Sequence, residues 1–197
     1  KVLYPDNHNL RVDGQYVKGK GTYSHDEFAK EALQFIRDNK DNPFFLYLPF
    51  AIPHAELTVP EDSMAQYLKL NWPEKPKIEG KGNTGGGAYG SQYKRGYCGQ
   101  SHPNAAYAGM ISRMDGNVGR ILDLLDELKL SDNTLVIFSS DNGPSPEGGQ
   151  SLEFFNSAGP LSGAKRSMKE GGILVRPGLI LPGQRAMVGT RIPPSFM

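Results

Sequence analysis

The sequence predicts an α/β fold, with a mixed, mostly parallel sheet sandwiched between helices. Three features carry that expectation. Two short runs, Phe44-Phe45-Leu46-Tyr47-Leu48 and Thr134-Leu135-Val136-Ile137-Phe138, are continuously apolar, as strands covered on both faces are. Between and before them lie stretches with helical apolar spacing. The order strand, helix, strand then favours parallel pairing through a crossover.

Each element has its own local reason. Ser24 followed by Glu27 has the form of a capping box, and Phe28, Ala32, Phe35 and Ile36 make one apolar stripe behind it. Asn39, Asp41 and Asn42 end that helix, and Pro43 opens the first apolar run. Pro49 and Pro53 close the run and turn the chain out near His54. Residues 57–104 hold Pro60, Pro73, Pro76 and a triple glycine, 85–87, and read as a long functional loop. A long amphipathic helix is predicted over 104–129, with Ile111, Met114, Val118, Leu122 and Leu125 on its apolar stripe. A turn at 130–133 leads into the second strand, and a further strand is expected near 173–181.

Composition narrows the function. The 197 residues are 38% hydrophobic with a formal net charge of +1, which fits a globular protein and gives no sign of nucleic-acid binding. A single cysteine, Cys98, excludes both an internal disulfide framework and a cysteine-based zinc site. The longest apolar run, residues 44–52, is too short to span a bilayer.

Three places can carry chemistry. Asp141-Asn142-Gly143 follows the second strand, where a carboxylate and an amide oxygen can hold a hard divalent cation. Taken alone, such a triplet is more often an Asx turn. His54 follows the first strand and can donate to an anion or protonate a leaving oxygen. Taken alone, it reads as a hydrogen-bonded loop histidine. Lys165 stands between Gly163 and Glu170-Gly171-Gly172, where an ammonium group can neutralise an anionic ester. In open α/β sheets, ligands gather beyond the carboxyl ends of strands, where His54 and Asp141 both fall. His8, His25 and His102 lack such a setting. Trp72, Tyr89, Tyr93 and Tyr97 can line a sugar site or simply pack a loop.

These pieces together resemble the middle of a type I sulfatase, the arylsulfatase and N-acetylgalactosamine-6-sulfatase group of the alkaline phosphatase-like superfamily. The matching blocks are Gly21 to Asp26, Pro43-Phe44-Phe45-Leu46-Tyr47-Leu48 through Pro53-His54-Ala55-Glu56, and Tyr107-Ala108-Gly109-Met110 through Asp115. They continue with Phe138-Ser139-Ser140-Asp141-Asn142-Gly143-Pro144, Glu153-Phe154-Phe155-Asn156 and Lys165-Arg166 to Glu170-Gly171-Gly172-Ile173. The resemblance implies that Asp141 and Asn142 bind calcium, that His54 contacts the sulfate and protonates the leaving alcohol, and that Lys165 bridges sulfate and leaving oxygen. It implies a small-molecule or glycan sulfate ester as substrate, and export to periplasm, lysosome or exterior.

Two departures stand out. The family's nucleophile is a formylglycine made from a Cys/Ser-x-Pro-x-Arg motif, and none is present: Ser101-His102-Pro103 begins like one, but Ala105 stands where arginine is required. Leu174-Val175-Arg176-Pro177 also differs from the usual Arg-Val-Pro. Residues 1–197 are therefore expected to be the central part of one sulfatase catalytic domain, with formylglycine and the partner aspartates upstream. Two rivals remain at this level: a phosphodiesterase or phosphonate hydrolase of the same superfamily, and a non-catalytic segment.

Overall fold

A computed structural model describes the backbone of residues 9–12, 15–18, 23–76, 100–174, 178–180 and 187–188, and the side chains of 23–76 and 100–174. Two compact units divide the chain. Unit 1 is residues 1–121 with 147–150, and unit 2 is residues 122–146 with 151–197.

Unit 1 is helical around a small core. A hairpin, β1 (Asn9–Val12) and β2 (Gln15–Lys18), pairs antiparallel. Helix α1 (Ser24–Asp38) buries Ala29, Ala32, Leu33 and Ile36. Its cap lies one residue before the predicted capping box. The Tyr23 carbonyl accepts from the Asp26 and Glu27 amides, and Ser24 is buried inside the first turn. Tyr23 takes the cap position in extended backbone, so Ser24 is already helical and its hydroxyl makes no cap bond. Phe28, predicted to face the core, is half exposed, because α1 buries the neighbouring face instead.

The predicted loop 57–104 contains a helix, α2 (Glu61–Leu68). Its sequence cue was Pro60 followed by two acids, a favourable helix start. Helix α3 (Pro103–Glu127) follows. Glu74 caps it: its carboxylate accepts from the amides of Asn104 and Ala105 at 2.9 and 2.8 Å, complementing the positive end of the helix. The core joins Tyr23, Ile52, Leu57, Val59, Ala106 and Met110. Arg113 ties the three helices together. Its guanidinium donates twice to the Asp26 carboxylate at 2.7 Å, and to Asp62 and Ser63 at 2.9 and 2.6 Å.

Residues 44–48, predicted as a buried strand, run without a ladder partner among the described residues. The strand-like alternation is nonetheless present. Phe44 meets Phe35 of α1 edge to face, with centroids 5.9 Å apart. Phe45 and Tyr47 point the other way and are 85% and 76% exposed.

In unit 2, α3 ends in a Schellman motif: Leu130 donates to Leu125 and Lys129 to Asp126, with Lys129 at φ 58°. A short 3₁₀ turn, Ser131–Asn133, leads to β3 (Val136–Phe138). Parallel pairing is not what β3 makes here. It pairs antiparallel with β4 (Gly178–Ile180), which pairs antiparallel with β5 (Met187–Val188). Among the described residues, the link from β3 to β4 carries the four-residue helix α4 (Glu170–Ile173).

Two outcomes are expected of the full-length protein. Arg113→Ala should lower unfolding stability by about 2 kcal/mol, since it strands two charge-assisted partners; a denaturant melt measures it. The second concerns His25, which is 1% exposed, packed edge to face against Phe50 with centroids 4.4 Å apart, with neither ring nitrogen hydrogen-bonded among the described residues. Burial pulls its pKa down to about 4 and outweighs the attraction of Asp26. The folded state then refuses a proton that the unfolded state accepts. Stability from this group is complete above pH 6.5 and is lost as pH falls toward 4, on the order of 2–3 kcal/mol. His25→Leu should flatten that slope in melts between pH 7 and 4.5; an unchanged slope would refute the assignment.

Candidate active site

Unit 2 assembles three of the four sequence-predicted residues. Asp141 and Asn142 begin the turn three residues beyond the end of β3. Asp141 is exposed and Asn142 half-buried. The Ser140 hydroxyl donates to the Asn142 carbonyl at 2.8 Å, which shapes the turn from within.

The turn is clamped against the segment that carries Lys165. The Gly143 amide donates to the Gly172 carbonyl at 3.1 Å, and the Lys165 amide donates to the Pro144 carbonyl at 2.8 Å. Gly143 permits this approach. A Cβ there would lie 1.9 Å from the Gly171 carbonyl oxygen, which no side chain can occupy. The Asp-Asn pair and the half-buried Lys165 therefore flank one main-chain contact, with a carboxylate, an amide oxygen and an ammonium group available to an anion–cation pair.

His54 belongs to unit 1. It lies between the cis peptides Ile52–Pro53 and Ala55–Glu56. Its amide donates to the Ala51 carbonyl at 3.1 Å, and its Nδ1 donates to the Ala55 carbonyl at 2.6 Å. Its Nε2 faces Glu147 Oε2 at 3.8 Å. Glu147 is a residue that the sequence reading missed. Its cue was the string Glu147-Gly148-Gly149, a loop carboxylate beside two glycines, which repeats the form of Glu170-Gly171-Gly172.

Other candidates fall away or lie elsewhere. His102 is exposed and Trp72 packs on Tyr67 with centroids 5.3 Å apart. His8, Cys98, Tyr89, Tyr93, Tyr97 and the triple glycine lie outside the described residues.

Asp141 and Asn142 suit calcium in kind, since both present hard oxygen donors at the mouth of a turn. Two side chains are fewer than the six to eight oxygens that calcium takes. Among the described residues, no cluster of three or more His, Cys, Asp or Glu side chains completes the shell.

Comparison with known proteins places this geometry in context. A family profile described as Sulfatase matches residues 2–183. Steryl-sulfatase of Rattus norvegicus is 34% identical over 164 residues, which cover 79% of this chain and 22% of that protein. N-acetylgalactosamine-6-O-sulfatase of Bacteroides thetaiotaomicron is 29% identical over 153 residues, covering 75% of this chain and 23% of its own. The crystal structure of Ps i-CgsB in complex with k-i-k-neocarrahexaose superposes with a TM-score of 0.61 at 27% identity, over 87% of this chain and 30% of that one. The chain thus spans roughly a fifth to a third of the length of these proteins.

Gly143→Ala should uncouple the Asp-Asn turn from the Lys165 segment. The expected result in the full-length protein is at least a tenfold loss of whatever cation-dependent activity it has, about 1.4 kcal/mol or more. Activity assays on the purified variant check this; a fully active Gly143→Ala protein would show that the clamp does not position the site.

Proposed function

The chain belongs to the sulfatase family, and on that premise we propose that residues 1–197 are the central part of one catalytic domain that hydrolyses sulfate esters, with sulfated carbohydrates as the substrate class. The observation that supports this most is the clamp in unit 2, which holds a cation-type donor pair and a lysine at the end of one strand.

In this reading each residue does one thing. Lys165 neutralises sulfate oxygens and the charge that grows on the leaving oxygen. His54, already donating through Nδ1 to Ala55, gives a proton from Nε2 to the departing alcohol. Asp141 and Asn142 hold a calcium ion, which when bound draws charge off the sulfate oxygens. The formylglycine nucleophile of the family would be supplied by sequence other than these 197 residues. The sheet of the complete domain is proposed to be mixed and mostly parallel between helical layers, in the alkaline phosphatase-like manner. The bare apolar sides of Phe45, Tyr47, Leu135 and Ile137 support that, because they offer faces and edges for further strands and helices to cover. Export from the cytoplasm is part of the same proposal; among the described residues no helix is long and apolar enough to cross a membrane.

The test is sulfate release by the full-length protein from a chromogenic aryl sulfate with calcium present. His54→Ala and Lys165→Ala should each lose more than tenfold in kcat/KM, about 1.4 kcal/mol or more of transition-state stabilisation. Asp141→Ala should raise the calcium concentration needed for activity. Losses under tenfold for His54→Ala or Lys165→Ala would remove them from the mechanism. Faster turnover of phosphate diesters with zinc or manganese would favour the phosphodiesterase reading instead.

A further inference from the structure

Glu147 has no part in the scheme above, yet its carboxylate is among the most enclosed polar groups of unit 1, at 1% exposure. We infer that Glu147 is a positioning residue for His54, its buried carboxylate fixing the orientation in which Nε2 meets the leaving oxygen. This rests on the proposal that His54 protonates the departing alcohol.

The geometry argues it in three steps. The Ala55 carbonyl can only accept, so the 2.6 Å contact puts a hydrogen on Nδ1 of His54. Nε2 then carries either a lone pair or a second proton. A lone pair turned toward an ionised carboxylate 3.8 Å away is repelled, whereas an N–H there is attracted. The carboxylate therefore favours the ring orientation that presents an Nε2–H on its side. At 3.8 Å the contact is longer than a hydrogen bond. Glu147 orients the ring without taking the proton into a direct bond.

The delivery of Glu147 is built into the fold of unit 1. Residues 147–150 lie against the segment just after His54. Gly148, at φ +98°, backs onto Leu57 and Ala55 so closely that a Cβ would sit 2.7 Å from Leu57 Cγ and 3.1 Å from Ala55 Cβ. Gln150, at the end of the same segment, is buried too. The His54 side chain stays 39% exposed, open to an incoming ester.

The step itself balances simply. The sulfur–oxygen bond to the alcohol breaks and its electron pair stays on the alcohol oxygen. That oxygen takes the Nε2 proton of His54, and the ring is left neutral with Nδ1–H still donating to Ala55. The sulfuryl group passes to an oxygen nucleophile, whose own hydroxyl proton leaves to solvent as the new sulfur–oxygen bond forms.

Leaving-group dependence tests the inference in the full-length protein. Nitrophenolate departs with little help, whereas a sugar alkoxide needs a proton. Rates are measured for 4-nitrophenyl sulfate and for a sulfated monosaccharide on the same samples, so any loss of folded protein cancels in the ratio. His54→Ala and Glu147→Gln should each lose about tenfold more kcat on the sugar sulfate than on the aryl sulfate, and Glu147→Asp should regain part of that difference. Equal losses on both substrates for Glu147→Gln, with His54→Ala still discriminating, would overturn the role of Glu147 alone. Equal losses for His54→Ala itself would overturn the proton-donor reading and this inference with it.

Discussion

One close backbone approach shapes unit 2: alongside the bond from the Lys165 amide to the Pro144 carbonyl, the Gly143 amide meets the Gly172 carbonyl, where a methyl group would collide with the Gly171 oxygen at 1.9 Å. Because that approach is possible, the turn after β3 and the segment carrying Lys165 become one structure. Glycine thus does its work here through what it lacks, which is why Gly143 matters as much as the residues with functional groups.

Unit 1 uses a different device for the same purpose. His54 is fixed by contacts to its own neighbours, Ala51 and Ala55, and by a carboxylate from a segment far along the chain. Residues 147–150 are separated from the rest of unit 1 by the strand and turn of unit 2. Within unit 1, residues 147–150 place Glu147 opposite His54 Nε2 at 3.8 Å.

Much of this was legible in the sequence, for physical reasons. Helix α3 was readable because its apolar spacing persists over seven turns, and β3 because β-branched residues end at a turn. The loop glycines correctly signalled close backbone approach. The capping box failed because the helix is capped at Tyr23, one residue before Ser24, and a one-residue shift of a helix start is a detail that local spacing does not carry. Helix α2 was hidden in a proline-rich stretch, although Pro60-Glu61-Asp62 was a fair start signal. Residues 44–48 alternate as a strand should, but a strand is defined by its partner, and among the described residues they have none. Glu147 was missed because nothing in a linear reading links a loop glutamate to a histidine so far upstream.

The most direct measurement of the central claim is a crystal structure of the full-length protein with calcium and a bound sulfate ester or sulfate ion. The expected density has the anion within hydrogen-bond reach, about 3 Å, of Lys165 Nζ, with the cation on Asp141 and Asn142. An anion bound away from Lys165, or a cation that leaves Asp141 and Asn142 untouched, would contradict it.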